Sequence, residues 1–350
     1  MPPLFYVKTR WPAPGLPGWR LHWRMATSRI VMPALLVGTL LASGTEVVAQ
    51  TFTFEQSFPA TTATVLEVTT ERSKITVRAG KSEEVVVVGR VSVRVAWNSP
   101  RDAMALARAI AAQPPVEHTG DTVRLQIPSD ARTRRAVTIA YEVQVPAGTR
   151  VMTQSESGAT RVEGVRAAVS VRTQSSAITL VDLGETLIDT GSGAVSVDGA
   201  GPLCVTTSSS GIDVARVSEG LVVRTQSGRV TASLVSDGDV DVETGSSAIT
   251  VTGVDGRFAA STQSGRVRVS GNPRLPWTVT TGSSAIEAEF RSGAAFTLDA
   301  SLGSGSVQTQ NLSVEGESDT RHIAGSLAWG GPVVQFTRRS GSIKLRSAGS

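Results

Sequence analysis

Residues 225–286 read TQSGRVTASLVSDGDVDVETGSSAITVTGVDGRFAASTQSGRVRVSGNPRLPWTVTTGSSAI, and the same short pattern occurs in them four times. TQSGRV stands at 225–230 and 262–267, and TGSSAI at 244–249 and 281–286. Each unit is a Thr, a small polar turn and an aliphatic residue. From Thr207 through Thr225, Thr244, Thr262 and Thr281 the step is 18 or 19 residues, the fixed period of a repeat architecture.

Working outward, the aliphatic residue after the turn is Ile178, Val195, Ile212, Val230, Ile249, Val267, Ile286, Val307 and, after a longer excursion, Ile343, with Thr160 in the same slot of SGATRV. Two residues on lies another apolar side chain, such as Leu180, Val197 or Val251, which is the alternation of a strand with one face inward. A unit this short cannot bury that face alone. Stacked copies at the strand spacing align Ile on Val on Ile and pair every backbone group with a neighbour. The pattern predicts an all-β fold, a parallel β-solenoid of about ten rungs with 18–19-residue repeats. TQSGR and TGSSA alternate at 37 residues, so a rung of double length is the alternative to a single-length rung, and a sandwich of hairpins is a third.

Upstream, alternating β-branched stretches run from Thr51 through ERSKITVRAG at 71–80, which already carries the turn signature, to EEVVVVGRVSVRVAW at 83–97. SPRDAMALARAIAAQPP then predicts one short flanking or capping helix near 100–112, with Ser99 as N-cap, Met104, Leu106, Ala107 and Ile110 on a buried side, and Pro114-Pro115 as its stop. Strands resume at 122–127 and 136–145. The resulting organisation is residues 1–49 as a leader, 50–150 as a β-rich part with the inserted helix, and 151–350 as repeats.

Charge locates that leader. The chain carries a formal +4, yet residues 1–49 hold five basic side chains and one acidic, leaving 29 of each in the remainder. The excess charge supports no nucleic-acid partner. Arg29, the apolar run 30–41 and Val47-Val48-Ala49 form a secretory signal with cleavage after Ala49 and a start at Met1 or Met25. No later stretch is apolar for long enough to span a membrane. The expected location is outside the cytoplasm: periplasm, outer surface or medium. Cys204, in LCV, is expected to be a core filler without an internal disulfide partner.

The succession ERSKITV, helix, DTVRLQIP, YEVQVPAGTRV and serial TQSGRV or TGSSAI units resembles the bacterial putative-adhesin family, a β-strand-repeat domain of unknown function. The likeness covers roughly residues 60–345. It implies a β-solenoid exported to the cell envelope, and it brings no catalytic residues and no cofactor.

Chemical motifs are sparse. The histidines beyond the leader, His118 and His322, show no zinc spacing, and no nucleophile elbow or phosphate loop occurs. Asp237, Asp239 and Asp241, alternating in DGDVD, are the best candidates for a hard cation, although a solvated turn is the preferred reading of them. Arg224, Arg229, Arg266 and Arg268 surround the two TQSGR bends and are the candidate ligand contacts, a basic ladder for an anionic glycan, or else charged edge residues. The sequence thus points to a non-enzymatic structural or adhesive module that meets a surface glycan or an envelope protein through long faces. One alternative is a polysaccharide lyase or hydrolase using Asp182, Asp189, Asp198 or Asp213. Another is an envelope scaffold that self-associates through its terminal rung.

Overall fold

The computed structural model describes residues 51–81, 83–94, 100–235 and 237–348. The expected signal sequence, residues 1–49, and the expected N-cap Ser99 lie outside them. Within the unit that follows Val47, strands pair in two parallel ladders. The first runs through Val65–Thr70, Arg150–Ser155, Val169–Thr173, Thr186–Thr190, Leu203–Thr207, Leu221–Thr225, Val240–Thr244, Phe258–Thr262 and Trp277–Ser283. The second runs through Ile75–Gly80, Thr160–Glu163, Ile178–Leu183, Val195–Ala200, Ile212–Val217, Val230–Leu234, Ile249–Val254, Val267–Gly271 and Ile286–Phe290. One repeat supplies one strand to each ladder, joined at the polar bend. Val230 lies beside Ile249 and Ile249 beside Val267, so the rung is of single length.

Alternate residues of both ladders are buried, and they form one core cluster. Ile178, Val195, Ile212, Val230, Ile249, Val267 and Ile286 stack in register with at most 1% exposure each, as the pattern requires.

The bend explains the 37-residue alternation. Its column reads Gly158, Ser176, Gly193, Ser210, Gly228, Ser247, Gly265 and Ser284, glycine and serine by turns. A Cβ on Gly193, Gly228 or Gly265 would come within 2 Å of the carbonyl oxygen of Ser176, Ser210 or Ser247 on the preceding rung. Glycine is required there because backbone, not a movable side chain, occupies the space. Beside this column runs a buried hydroxyl row, Thr173, Thr190, Thr207, Thr225, Thr244, Thr262 and Thr281. Thr225 and Thr262 accept from the Gly228 and Gly265 N–H at 3.0 Å, and Thr207 donates to Ser210 Oγ at 2.9 Å. The buried bend therefore satisfies part of its own backbone.

The solenoid expectation needs correction in four places. The period is 17 residues between Val169, Thr186 and Leu203, and reaches 19 only later. Eight rungs, from Arg150 to Phe290, follow chain order, fewer than the ten expected. The layers beyond them do not follow it. After Phe290 the chain forms Phe296–Gln310, skips outward, and returns as Val333–Ser347, which inserts between Phe296–Gln310 and the last repeat. Both long strands run through both ladders, so the ladders are one sheet folded back on itself, with 27 strands among the described residues. Finally, the flanks are antiparallel: Thr51–Pro59 on Glu84–Val93 on Val137–Pro146 at one end, and Glu315–Ser318 on His322–Leu327 on Phe296–Gln310 at the other.

Helix α1, Ala103–Ala112, lies where expected and packs on Thr51–Pro59 and Glu84–Val93. Its buried side is Ala103 and Ala107, with Leu106 and Ile110 half-buried against the core and Met104 exposed, contrary to expectation. A second helix, α2, Ala131–Ala136, was not signalled; Asp130 caps it by accepting from the Thr133 N–H at 2.8 Å. The last strand closes on an aromatic cluster of Phe258, Trp277, Phe290, Phe296 and Phe336, all buried, in which Trp277 Nε1 donates to Gly256 O at 3.1 Å. Cys204 is not a core filler. Its neighbours Leu203 and Val205 point inward, which leaves Cys204 half-buried on the outer face.

Candidate functional site

Side-chain length shapes the outer face of the second ladder. One outward row is Asp213, Thr231, Thr250, Arg268 and Glu287 in register, and the position before each strand's first aliphatic residue gives Arg229, Ala248 and Arg266. Thr231, Ala248 and Thr250 are short between long neighbours, and the surface sinks over them. Three shallow hollows of about 600, 390 and 330 Å³ meet at Thr231. The first is walled by Ser209, Ser227, Ser246 and Ser247, and the second by Arg229, Arg266 and Arg268. The volumes are those of ligand clefts, and the open, hydroxylated lining suits a polar chain better than an apolar molecule. A narrower cleft between the first bend and α2, lined by Tyr141, Ile127 and Val137, has only about 30 Å³, room for one water.

The structure therefore joins three of the four candidate arginines and separates the fourth. Arg229 and Arg266 lie two strands apart in their row, about 10 Å at strand spacing. Arg268 donates to Glu287 Oε2 from Nε at 2.9 Å and from Nη2 at 2.6 Å, while Arg266 Nε approaches Oε1 of the same carboxylate at 3.8 Å. No carboxylate among the described residues lies within ion-pair distance of Arg229. Burial pushes the Glu287 carboxyl up, but the Arg268 hydrogen bonds and the charges of Arg268, Arg266 and Lys344 outweigh it and hold it below the usual carboxylate range. Two guanidinium groups, Arg266 and Arg268, thus share one carboxylate at the groove, and Arg229 stands beside them. Arg224 lies on the first ladder, where it binds Asp241 and stands 3.4 Å from Glu243.

The aspartates of DGDVD are not gathered. Asp241 faces Arg224, Asp239 accepts from the Arg257 N–H at 3.2 Å, and Asp237 sits in the preceding turn. Among the described residues no three His, Cys, Asp or Glu side chains converge as a metal site requires. His118 rests on the Phe58 ring and His322 lies 3.3 Å from Asp299.

Three of the four aspartates of the enzyme alternative are tied to arginine too. Arg216 bridges Asp198 at 2.6 Å and Asp182 at 3.1 Å, and Arg172 faces Asp189 at 3.5 Å. Of these four, Asp213 lines two of the hollows and Asp198 one. The Arg216 hydrogen bond holds the Asp198 carboxyl below the usual carboxylate range. A glycosidic general acid needs the opposite shift. The groove floor of Thr231, Ala248 and Thr250 escaped sequence reasoning; the available signal was the run of short outward residues between Asp213 and Arg268.

No helix among the described residues is long and apolar enough to cross a membrane. No curated protein matches the sequence. Two crystal structures are similar at 8% identity each. One, a putative cell adhesion protein from Clostridium sporogenes, gives a TM-score of 0.22 over 85% of this chain and 100% of its own. The other, a putative adhesin from Bacteroides fragilis, gives 0.29 over 85% and 97%. Superposition this loose carries no argument about ligand. The sequence itself is decisive for kinship: with residues 120–346 matched, well over half its length, the chain belongs to the Toastrack DUF4097 family.

Proposed function

We propose that the chain is an exported, non-catalytic adhesive module of the cell envelope that holds an acidic glycan in the groove of the second ladder. The observation that carries this reading is the meeting of Arg229, Arg266 and Arg268 over a floor of Thr231, Ala248 and Thr250, with Glu287 shared by Arg266 and Arg268. Guanidinium forks bind carboxylate and sulfate esters with paired N–H donors, and flanking hydroxyls serve sugar hydroxyls. The contacts are shallow and repeated, so affinity per site is modest and comes from multivalent display. Export is part of the proposal, resting on the leader at residues 1–49.

The test is equilibrium binding to a neutral polysaccharide and to its sulfated or uronate counterpart. Binding confined to the acidic polymer, weakened about tenfold or more in Arg229→Ala/Arg266→Ala, is expected. Equal binding of both polymers, or none to either, overturns the reading.

A further inference from the structure

The first ladder presents a second, different face. One outward row reads Ser170, Leu187, Cys204, Val222 and Asp241 on adjacent strands, and the row beside it reads Arg172, Asp189, Thr206, Arg224 and Glu243. Leu187 and Val222 flank Cys204 with 43% and 36% exposure, an apolar stripe in the middle of the ladder.

The order of charges in the second row inverts in sign about its centre. From Thr206 outward, one side gives Asp189 then Arg172, and the other gives Arg224 then Glu243. Rotating a copy about an axis along the Leu203–Thr207 strand sets Asp189 against Arg224 of the copy and Arg172 against Glu243. The same rotation sets Leu187 against Val222, Ser170 against Asp241, and Cys204 and Thr206 against themselves. Like charges meet nowhere in these rows.

We propose that this face is a homodimer interface, a second copy of the chain packing on it face to face across that two-fold axis. A C₂ interface demands a self-complementary surface, and few arrangements of charge satisfy it. Five to seven strands at about 4.8 Å by five residues at about 3.3 Å give roughly 400–550 Å² per partner, which places the dimer at the weak, concentration-dependent end of specific interfaces. Facing sheets stand about 10 Å apart, beyond the Cα separation of a disulfide, so the two Cys204 thiols lie opposed and unbonded. The interface leaves the groove of the second ladder outside it, and dimerisation doubles the number of grooves.

Sedimentation equilibrium of the full chain tests this, with circular dichroism to confirm that each variant is folded. The wild type is expected to show a reversible monomer–dimer equilibrium. Val222→Asp and, separately, Arg224→Glu are expected to weaken it at least about tenfold, and Asp189→Arg/Arg224→Glu to restore much of the loss. A short bis-maleimide is expected to join dimers through Cys204 and to fail with Cys204→Ser. A strict monomer at all concentrations, or a dimer indifferent to Val222→Asp, overturns the proposal. So does a dimer lost instead on changing Gln308 and Gln310, since that contact would be the terminal edge.

Discussion

Single residues carry sharply different burdens in this fold, and position in the stack sets the burden. Gly199 has φ +86° and lies under the Arg216 bridge, where an added Cβ would come 2.6 Å from Asp182 Oδ1. Gly199→Ala is expected to cost about 1–3 kcal/mol, read from chemical denaturation. Ile249 and Ser247 are two residues apart but one is sealed in the core and the other sits on the bend. Ile249→Asp is expected to cost several kcal/mol and Ser247→Asp far less; equal melting shifts would contradict the assigned faces. At Glu287 the folded carboxyl titrates below its unfolded value. Its pairing with Arg268 is therefore fully present above the ordinary carboxylate range, about 4.3, and is lost as the pH falls through the depressed value. Protonation then frees Arg268. Affinity for a sulfated polymer, which keeps its charge, is expected to rise on acidification, and Glu287→Gln is expected to raise it at neutral pH and to flatten the profile.

The bend is the element on which the repeat depends, because its backbone is stacked as closely as its side chains. Gly228→Ala would press a methyl to within 1.8 Å of Ser210 O and is expected to cost about 2–4 kcal/mol, whereas Ala at Gly211, which has open space, is expected to cost little. Paired denaturation curves decide this. The ladders were legible in the sequence for the same reason. Each rung repeats a burial problem with one solution, so the row from Ile178 to Ile286 could be read without coordinates. The single-length rung was legible too, since every unit holds a full strand, bend and strand. What could not be read depends on contacts distant in sequence. Val333–Ser347 and Phe296–Gln310 carry the same alternation in either stacking order, and nothing local tells which lies inside. Cys204 was misassigned because alternation gives two faces and a half-apolar outer row resembles an inner one. The groove was half legible: the TQSGR repeats place Arg229 and Arg266 in one row, but Arg224 belongs to the opposite strand of the rung.

At the scale of the whole unit, two outer faces differ in kind. The second ladder offers hydroxyls and arginines over a depression, and the first offers an apolar stripe beside a charged row. Binding of an acidic polymer is expected to weaken steeply with ionic strength because its contacts are exposed charges. The exposed ion pairs along both faces, such as Arg124 with Glu67 and Arg346 with Glu289, contribute little stability individually. Stability resides in the continuous core, and unfolding is expected to follow Trp277 fluorescence, since its indole is sealed by Phe258 and Phe290 at the end where the stacking order changes.

That change of order has a consequence for how the chain is completed. Rungs up to Phe290 can add one at a time as they emerge, each on the one before. Phe296–Gln310 cannot take its place by that route, because its seat is built by residues synthesised afterwards. The strand Val333–Ser347 works as a keystone: until it arrives, the open edges of Trp277–Ser283 and Ile286–Phe290 lack their partner, and Phe296–Gln310 is paired with His322–Leu327 alone. A product cut short at residue 330 is expected to bear an open, sticky end and to be cleared by proteases, so that only full-length copies persist.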